Sequence, residues 1–143
     1  MEKHQQLDAY LISKPGVTKD YKEEWGWHRY MVGGKMFAAF MHPSGQYDTA
    51  YAQKDLINLK CDPNYAELLR SENPEVMPGF YSDKRTWNSV YLGGNLSEDL
   101  LLQMIDNSYQ LVFDKFKKAT KRNSGTGGCL SSPYLKALPA HQL

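Results

Sequence analysis

Cysteine is scarce: the 143 residues hold two, Cys61 and Cys129. That excludes a disulfide framework and points to a reducing compartment with free thiols. Long hydrophobic runs are missing. The clearest one, Met36 to Met41, falls far short of the roughly 20 apolar residues a spanning helix needs. The opening Met1-Glu2-Lys3-His4 lacks the apolar core of a secretory signal. The expectation is a cytoplasmic protein without membrane contact. An excess of charge of one sign is absent too. The 17 Lys and Arg face 16 Asp and Glu, a formal net charge of +1. Global basicity of the kind that marks many nucleic-acid binders is therefore excluded, and phosphate binding would need a local patch.

Ligand spacings for metals are also missing: there is no CxxC, no HxxxH and no carboxylate cluster, so no metal or other cofactor is expected. GGK at 33–35 lacks the first glycine of a phosphate-binding loop and the Ser/Thr that follows its lysine, and GTGG at 125–128 follows no strand. Without a nucleophile triad or an acid/base carboxylate pair, the chain is expected not to be an enzyme.

What the chain does have is aromatics, 13% of residues, with ten Tyr and three Trp. These suit sheets and binding surfaces. Its length fits one domain able to bury about two thirds of its unfolded surface without a metal or disulfide.

Periodicity gives the element order. Leu7, Tyr10 and Leu11 lie at helical spacing within 3–13, and Pro15-Gly16 stops that helix. Trp25 to Val32 alternates as a strand, with Trp25 and Trp27 on one face and His28, Tyr30 and Val32 on the other. Gly33-Gly34 is a hairpin signal. Lys35 to Met41 is apolar on both faces and is expected at the centre of the sheet. His42 to Gly45 reads as a turn, with 46–54 an extended hairpin or a loop. Leu56 to Lys60 is a further strand. Asp62-Pro63 opens a helix, since Asp caps and Pro at the first helical position loses nothing. Trp87 to Leu92 is a strand broken by Gly93-Gly94. Ser97 caps the last helix, whose stripe is Leu101, Ile105, Ser108, Tyr109, Val112 and Phe116. From about Ala119 the chain turns polar and glycine-rich. Residues 1–118 are expected to form the domain and 119–143 a mobile tail, touching it weakly through Tyr134, Leu135 and Leu138. Helices flanking a mainly antiparallel sheet make the fold class α+β.

Six segments in order, LISKPGV (11–17), VGGKMFAAF (32–40), LKCDP (59–63), AELLR (66–70), PGFYSDKRTW (78–87) and DNSYQLV (106–112), resemble the MmcQ/YjbR family over roughly residues 7–117. The resemblance implies a CyaY-like fold, a twisted antiparallel sheet packed against N-terminal, middle and C-terminal helices. It also implies a non-enzymatic DNA-binding protein with a double-wing motif. Three features depart from the family pattern: segment 42–54 is longer, Asp83 stands where a neutral residue such as Asn is expected, and the C-terminal tail has no counterpart in it. Frataxin, a relative of that fold, binds iron through an acidic helix ridge, for which only Glu2 and Asp8 are available here.

Candidate nucleic-acid contacts follow. Lys84 and Arg85 are adjacent cations in a loop before an aromatic strand, with Tyr81 or Trp87 as a stacking face. Their structural alternative is a solvated loop beside a core tryptophan. Lys35 and Lys60 flank core strands and would extend a basic face, or simply snorkel into water. Lys115, Lys117 and Lys118, followed by Lys121 and Arg122, are the densest positive run, which also suits a helix C-terminus. DNA is the expected partner. The alternative is a protein or small ligand held on an aromatic sheet face. Cys61, next to a helix N-terminus, is either a buried structural thiol or an activated nucleophile, the latter if His28 or His42 meets it in space.

Overall fold

The computed structural model describes residues 2–46 and 50–124, with only the backbone of 2–4 and 119–124. Helix α1 (Glu2–Ile12) is followed by strands β1 (Thr18–Lys22), β2 (Trp27–Val32), β3 (Lys35–Met41) and β4 (Leu56–Lys60). Then come helix α2 (Pro63–Glu72), β5 (Val76–Pro78), β6 (Trp87–Tyr91) and helix α3 (Glu98–Ser124). The strands form one antiparallel sheet in the order β1-β2-β3-β4-β6-β5. The α+β class expected from the sequence is the one observed.

Local chemistry sets the boundaries. Gly33 and Gly34 both have positive φ, 58° and 78°, the conformation a two-residue hairpin requires at both central positions. The Asp62 carboxylate accepts hydrogen bonds from the Asn64 and Tyr65 amides, with Pro63 opening α2. The Ser97 hydroxyl accepts one from the Leu100 amide at the start of α3.

All three helices cover one face of the sheet. Leu7 and Leu11 of α1, Ala66 and Leu69 of α2, and Leu101, Ile105, Tyr109 and Phe113 of α3 bury against Tyr30, Phe37, Ile57 and Val90. The opposite face carries a smaller cluster, Trp27, Ala39, Met41, Leu56 and Phe80, edged by Tyr51 and Tyr91. Strand β3 contributes to both clusters, so its two apolar faces are both covered, as its composition predicts. Ser108 is the polar residue in α3's buried stripe. Its hydroxyl accepts from the Lys60 amide at 2.8 Å and donates to the Phe37 carbonyl at 2.5 Å, pinning α3 across β3 and β4.

The structure departs from the sequence reading in several places. Strand β2 starts at Trp27, and Trp25 lies in the β1–β2 turn with its ring edge-on to Trp27 at 5.2 Å. Strands β1 and β5 were not anticipated. The first is almost wholly exposed and polar and the second has three residues, so neither shows an apolar period. His42 is no turn residue, because it lies across from Asp55 beyond the last β3–β4 pair, Met41 with Leu56. The described part of 42–54 is loop and turn rather than an extended hairpin. The backbone of α3 runs to Ser124, past the change of composition near Ala119. The rest of the expected tail, with Tyr134, Leu135 and Leu138, lies outside the described residues.

Candidate nucleic-acid interface

Register brings three of the expected lysines together. Beyond the pair Ala38–Leu59, the antiparallel step places Phe37 opposite Lys60, and Ser108 of α3 bonds to the backbone of both. Leu59 packs on the helix-covered face, so the Lys60 side chain leaves β4 on the other face, over Trp87, with its ammonium meeting Lys115 at the strand end. Lys35, two residues from Phe37, projects to the helix-covered face. Lys115 is two helical turns beyond Ser108, on the side of α3 that touches these strands. Next along α3, the ring of Phe116 sits over Gly33 so closely that a Cβ there would meet it at 2.5 Å. The end of α3 thus lies on the β2–β3 hairpin, beside Lys35 and the end of β4.

The electrostatics agree with this geometry. The Lys60 pKa is lowered first by partial burial, then by the close approach and charge repulsion of the Lys115 ammonium, with Lys35 adding to it and Asp83 opposing. The Lys60 ammonium also lies over the Trp87 ring, 5.9 Å from its centroid, so the partly buried Trp87 forms a platform beneath it. Among the described residues, none of these three lysines is in an ion pair. Lys118, one turn beyond Lys115, continues the exposed row, while Lys117 points elsewhere around the helix and is partly covered.

The adjacent cations of the loop separate. The Lys84 ammonium donates to the Gly79 carbonyl at 3.0 Å and lies over Tyr51, 5.7 Å from the ring centroid, against the smaller cluster on the opposite face. Tyr81 goes with it: exposed, at φ 51°, and stacked on Phe80 at 4.5 Å. Arg85 remains in solvent, its side chain 83% exposed and 3.8 Å from Asp83. Asp83 has a structural task there, because its carboxylate accepts the Arg85 amide and its carbonyl accepts the amides of Thr86 and Trp87. Of the eight positions proposed from the sequence, Lys35, Lys60 and Lys115 converge, Lys118 borders them, Arg85 stands in solvent beside Asp83, and Tyr81, Lys84 and Lys117 point away.

The nucleophile reading of Cys61 is corrected. The thiol is buried and its pKa is pushed up to about 11, first by burial and then by the Asp62 charge. His28 and His42 do not approach it. They line a separate cleft with Leu56, at the far end of β4. This cleft, of about 440 Å³, also holds Asp8, Lys19, Tyr21 and Asp55, and sequence reasoning missed it. Its residues come from α1, β1, β2 and the ends of β3 and β4 that flank the long 42–54 segment, and only the β3–β4 register reveals that His42 and Asp55 face one another. Among the described residues, no group of three or more His, Cys, Asp or Glu could hold a metal ion, and no helix is long and apolar enough to cross a membrane.

Known proteins share this architecture. The family model YjbR matches residues 12–111. The uncharacterized protein YjbR of Escherichia coli (strain K12) is 29% identical over 105 residues, 73% of this chain and 82% of that protein. The uncharacterized protein YbdF of Escherichia coli O157:H7 is 33% identical over 98 residues, 68% of this chain and 74% of its own. Among solved structures, a Deinococcus radiodurans protein with a DUF419 domain superposes with a TM-score of 0.63 at 25% identity, covering 76% of each chain. A Pseudomonas syringae protein does so at 0.65 and 25%, covering 76% of this chain and 97% of that one.

Proposed function

The chain belongs to the YjbR family, and from that premise we propose that it binds DNA through phosphate contacts made by Lys35, Lys60 and Lys115. The observation that carries this reading is the convergence of three ammonium groups with no ion-pair partner among the described residues. Repulsion among them is a cost that a bound polyanion relieves. Lys118 extends the surface, and Trp87 beneath Lys60 offers a ring edge to a base or sugar. Such a patch reads charge and spacing rather than sequence, so non-specific affinity of roughly 10⁻⁴ to 10⁻⁶ M is expected at physiological salt. On this reading the protein is a cytoplasmic binding module and not an enzyme. The adjacent pair Lys84–Arg85, prominent in the sequence, does not act as a unit, since Lys84 is spent within the fold.

The test is a titration of labelled duplex and single-stranded DNA at low salt. Wild-type protein and the Lys84→Ala variant should bind alike, while the Lys60→Ala/Lys115→Ala double variant should weaken binding of both probes. No binding at about 50 µM protein would remove the proposal, that concentration lying within the non-specific range.

A further inference from the structure

The cleft at the other end of the β3–β4 pair lies roughly 16 Å along β4 from Lys60 and has a chemistry of its own. Cross-strand rows build it. Tyr21 pairs with His28, and His28 with Phe40, which puts three rings in one row on the helix-covered face. The Tyr21 and His28 rings are 4.7 Å apart, and Tyr21 is 55% exposed. One step along, His42 Nδ1 is fixed to Asp55 Oδ1 at 2.8 Å, leaving Nε2 as the nitrogen available to the cleft. From α1, Asp8 Oδ1 accepts from Lys19 at 2.7 Å and from the Tyr30 hydroxyl at 2.5 Å.

The charges narrow the ligand class. Among the described residues of the lining, Lys19 is the one lysine, and it is already paired with Asp8. Among those described residues no other fixed cation stands ready to receive a phosphate or carboxylate. What the cleft offers is a set of ring faces flanked by two carboxylates and two imidazoles, which can accept N–H donors. Its volume lies within the roughly 300–1,000 Å³ of small-molecule sites. We propose that this cleft binds a small heteroaromatic ring bearing N–H donors, of the nucleobase or nucleoside class without its phosphate, stacked on Tyr21 and hydrogen-bonded by Asp55 and His42. The site is independent of the lysine cluster, so either can fail without the other.

Adenosine and cytidine are suitable probes, titrated into the isotopically labelled full chain and followed by amide NMR shifts. Saturable shifts are expected at the amides of Gly26, His28, His42 and Asp55, with AMP binding no more tightly than adenosine. Tyr21→Ala, at an exposed position, should weaken binding by roughly fivefold or more, the scale of one lost base–aromatic stack. Lys115→Ala should change nothing. The proposal is overturned by the absence of shifts at about 5 mM of both nucleosides, weaker than any affinity of interest. It is equally overturned by shifts that map outside the cleft, by full retention of affinity in Tyr21→Ala, or by clearly tighter binding of AMP.

Discussion

Replacing Ser108 by alanine removes one oxygen and, with it, the two hydrogen bonds that hold α3 on the sheet. Ser108 is fully buried. Its hydroxyl stands between the Lys60 amide and the Phe37 carbonyl, two groups that face one another in the β3–β4 register. With alanine, both lose their partner. A buried backbone group left unsatisfied costs roughly 1–3 kcal/mol. The two would sum to about 2–6 kcal/mol, less whatever the strands recover by closing the gap and bonding directly. A net loss of roughly 2–4 kcal/mol is expected. In a protein of this size that lowers the thermal midpoint by roughly 8–16 °C. Urea denaturation is the cleaner assay, since the midpoint should fall while the slope m stays constant. Because the same bridge sets Lys115 over Lys60, the variant should also bind DNA more weakly. A stability loss below about 0.5 kcal/mol, the range of ordinary surface substitutions, would refute the bridge and the placement of α3 derived from it.

The Lys60 ammonium has a lowered pKa, so it costs stability at neutral pH, a cost that fades as pH rises through its folded pKa towards the ordinary lysine range near 10.4. Lys60→Met should therefore raise the unfolding free energy at pH 7 and low salt by under about 1 kcal/mol, read as a higher urea midpoint at unchanged slope and shrinking with added salt, and an unchanged or lower midpoint would contradict the crowding. The Asp8 pKa is lowered although burial, the largest influence, pulls the other way, because the hydrogen bonds from Lys19 and Tyr30 outweigh it. Its contribution is present above about pH 4 and is lost as pH falls through the folded pKa. Asp8→Asn should thus lower stability at pH 7 and flatten the acid limb of the stability profile, whereas an acid limb identical to wild type would refute it. Burial and the raised pKa make Cys61 slow to alkylate. Peptide mapping after iodoacetamide treatment should find it modified far more slowly in native than in unfolded protein, and equal rates would restore the nucleophile reading.

How much of this was legible in the sequence follows from which signals are local. The Gly33-Gly34 turn, the Asp62-Pro63 cap and the stripe of α3 are decided within a few residues, and each stands where the sequence puts it. Strand β1 escaped because an edge strand with four exposed positions out of five has no apolar period to read. The composition changes near Ala119, whereas the backbone of α3 continues through the polar residues to Ser124. The candidate site divided along the same line. Lys35, Lys60 and Lys115 are distant in sequence, and their convergence depends on strand register and on the Ser108 bridge. Lys84 and Arg85 are neighbours in sequence, yet a turn capped by Asp83 sends their side chains apart. The His42–Asp55 pair was hidden because the length of the intervening loop leaves the register open until the strands are seen.

The most direct test of the lysine cluster is the slope of log K against log salt for duplex DNA. Three lysines that each neutralise one phosphate predict a wild-type slope of at least about −2.7, at roughly 0.9 per phosphate. Replacing Lys35, Lys60 and Lys115 together by alanine should flatten it by about that amount, with Lys84→Ala leaving it unchanged. A triple variant whose slope equals that of wild type, or a Lys84→Ala variant that flattens it as much, would contradict the account.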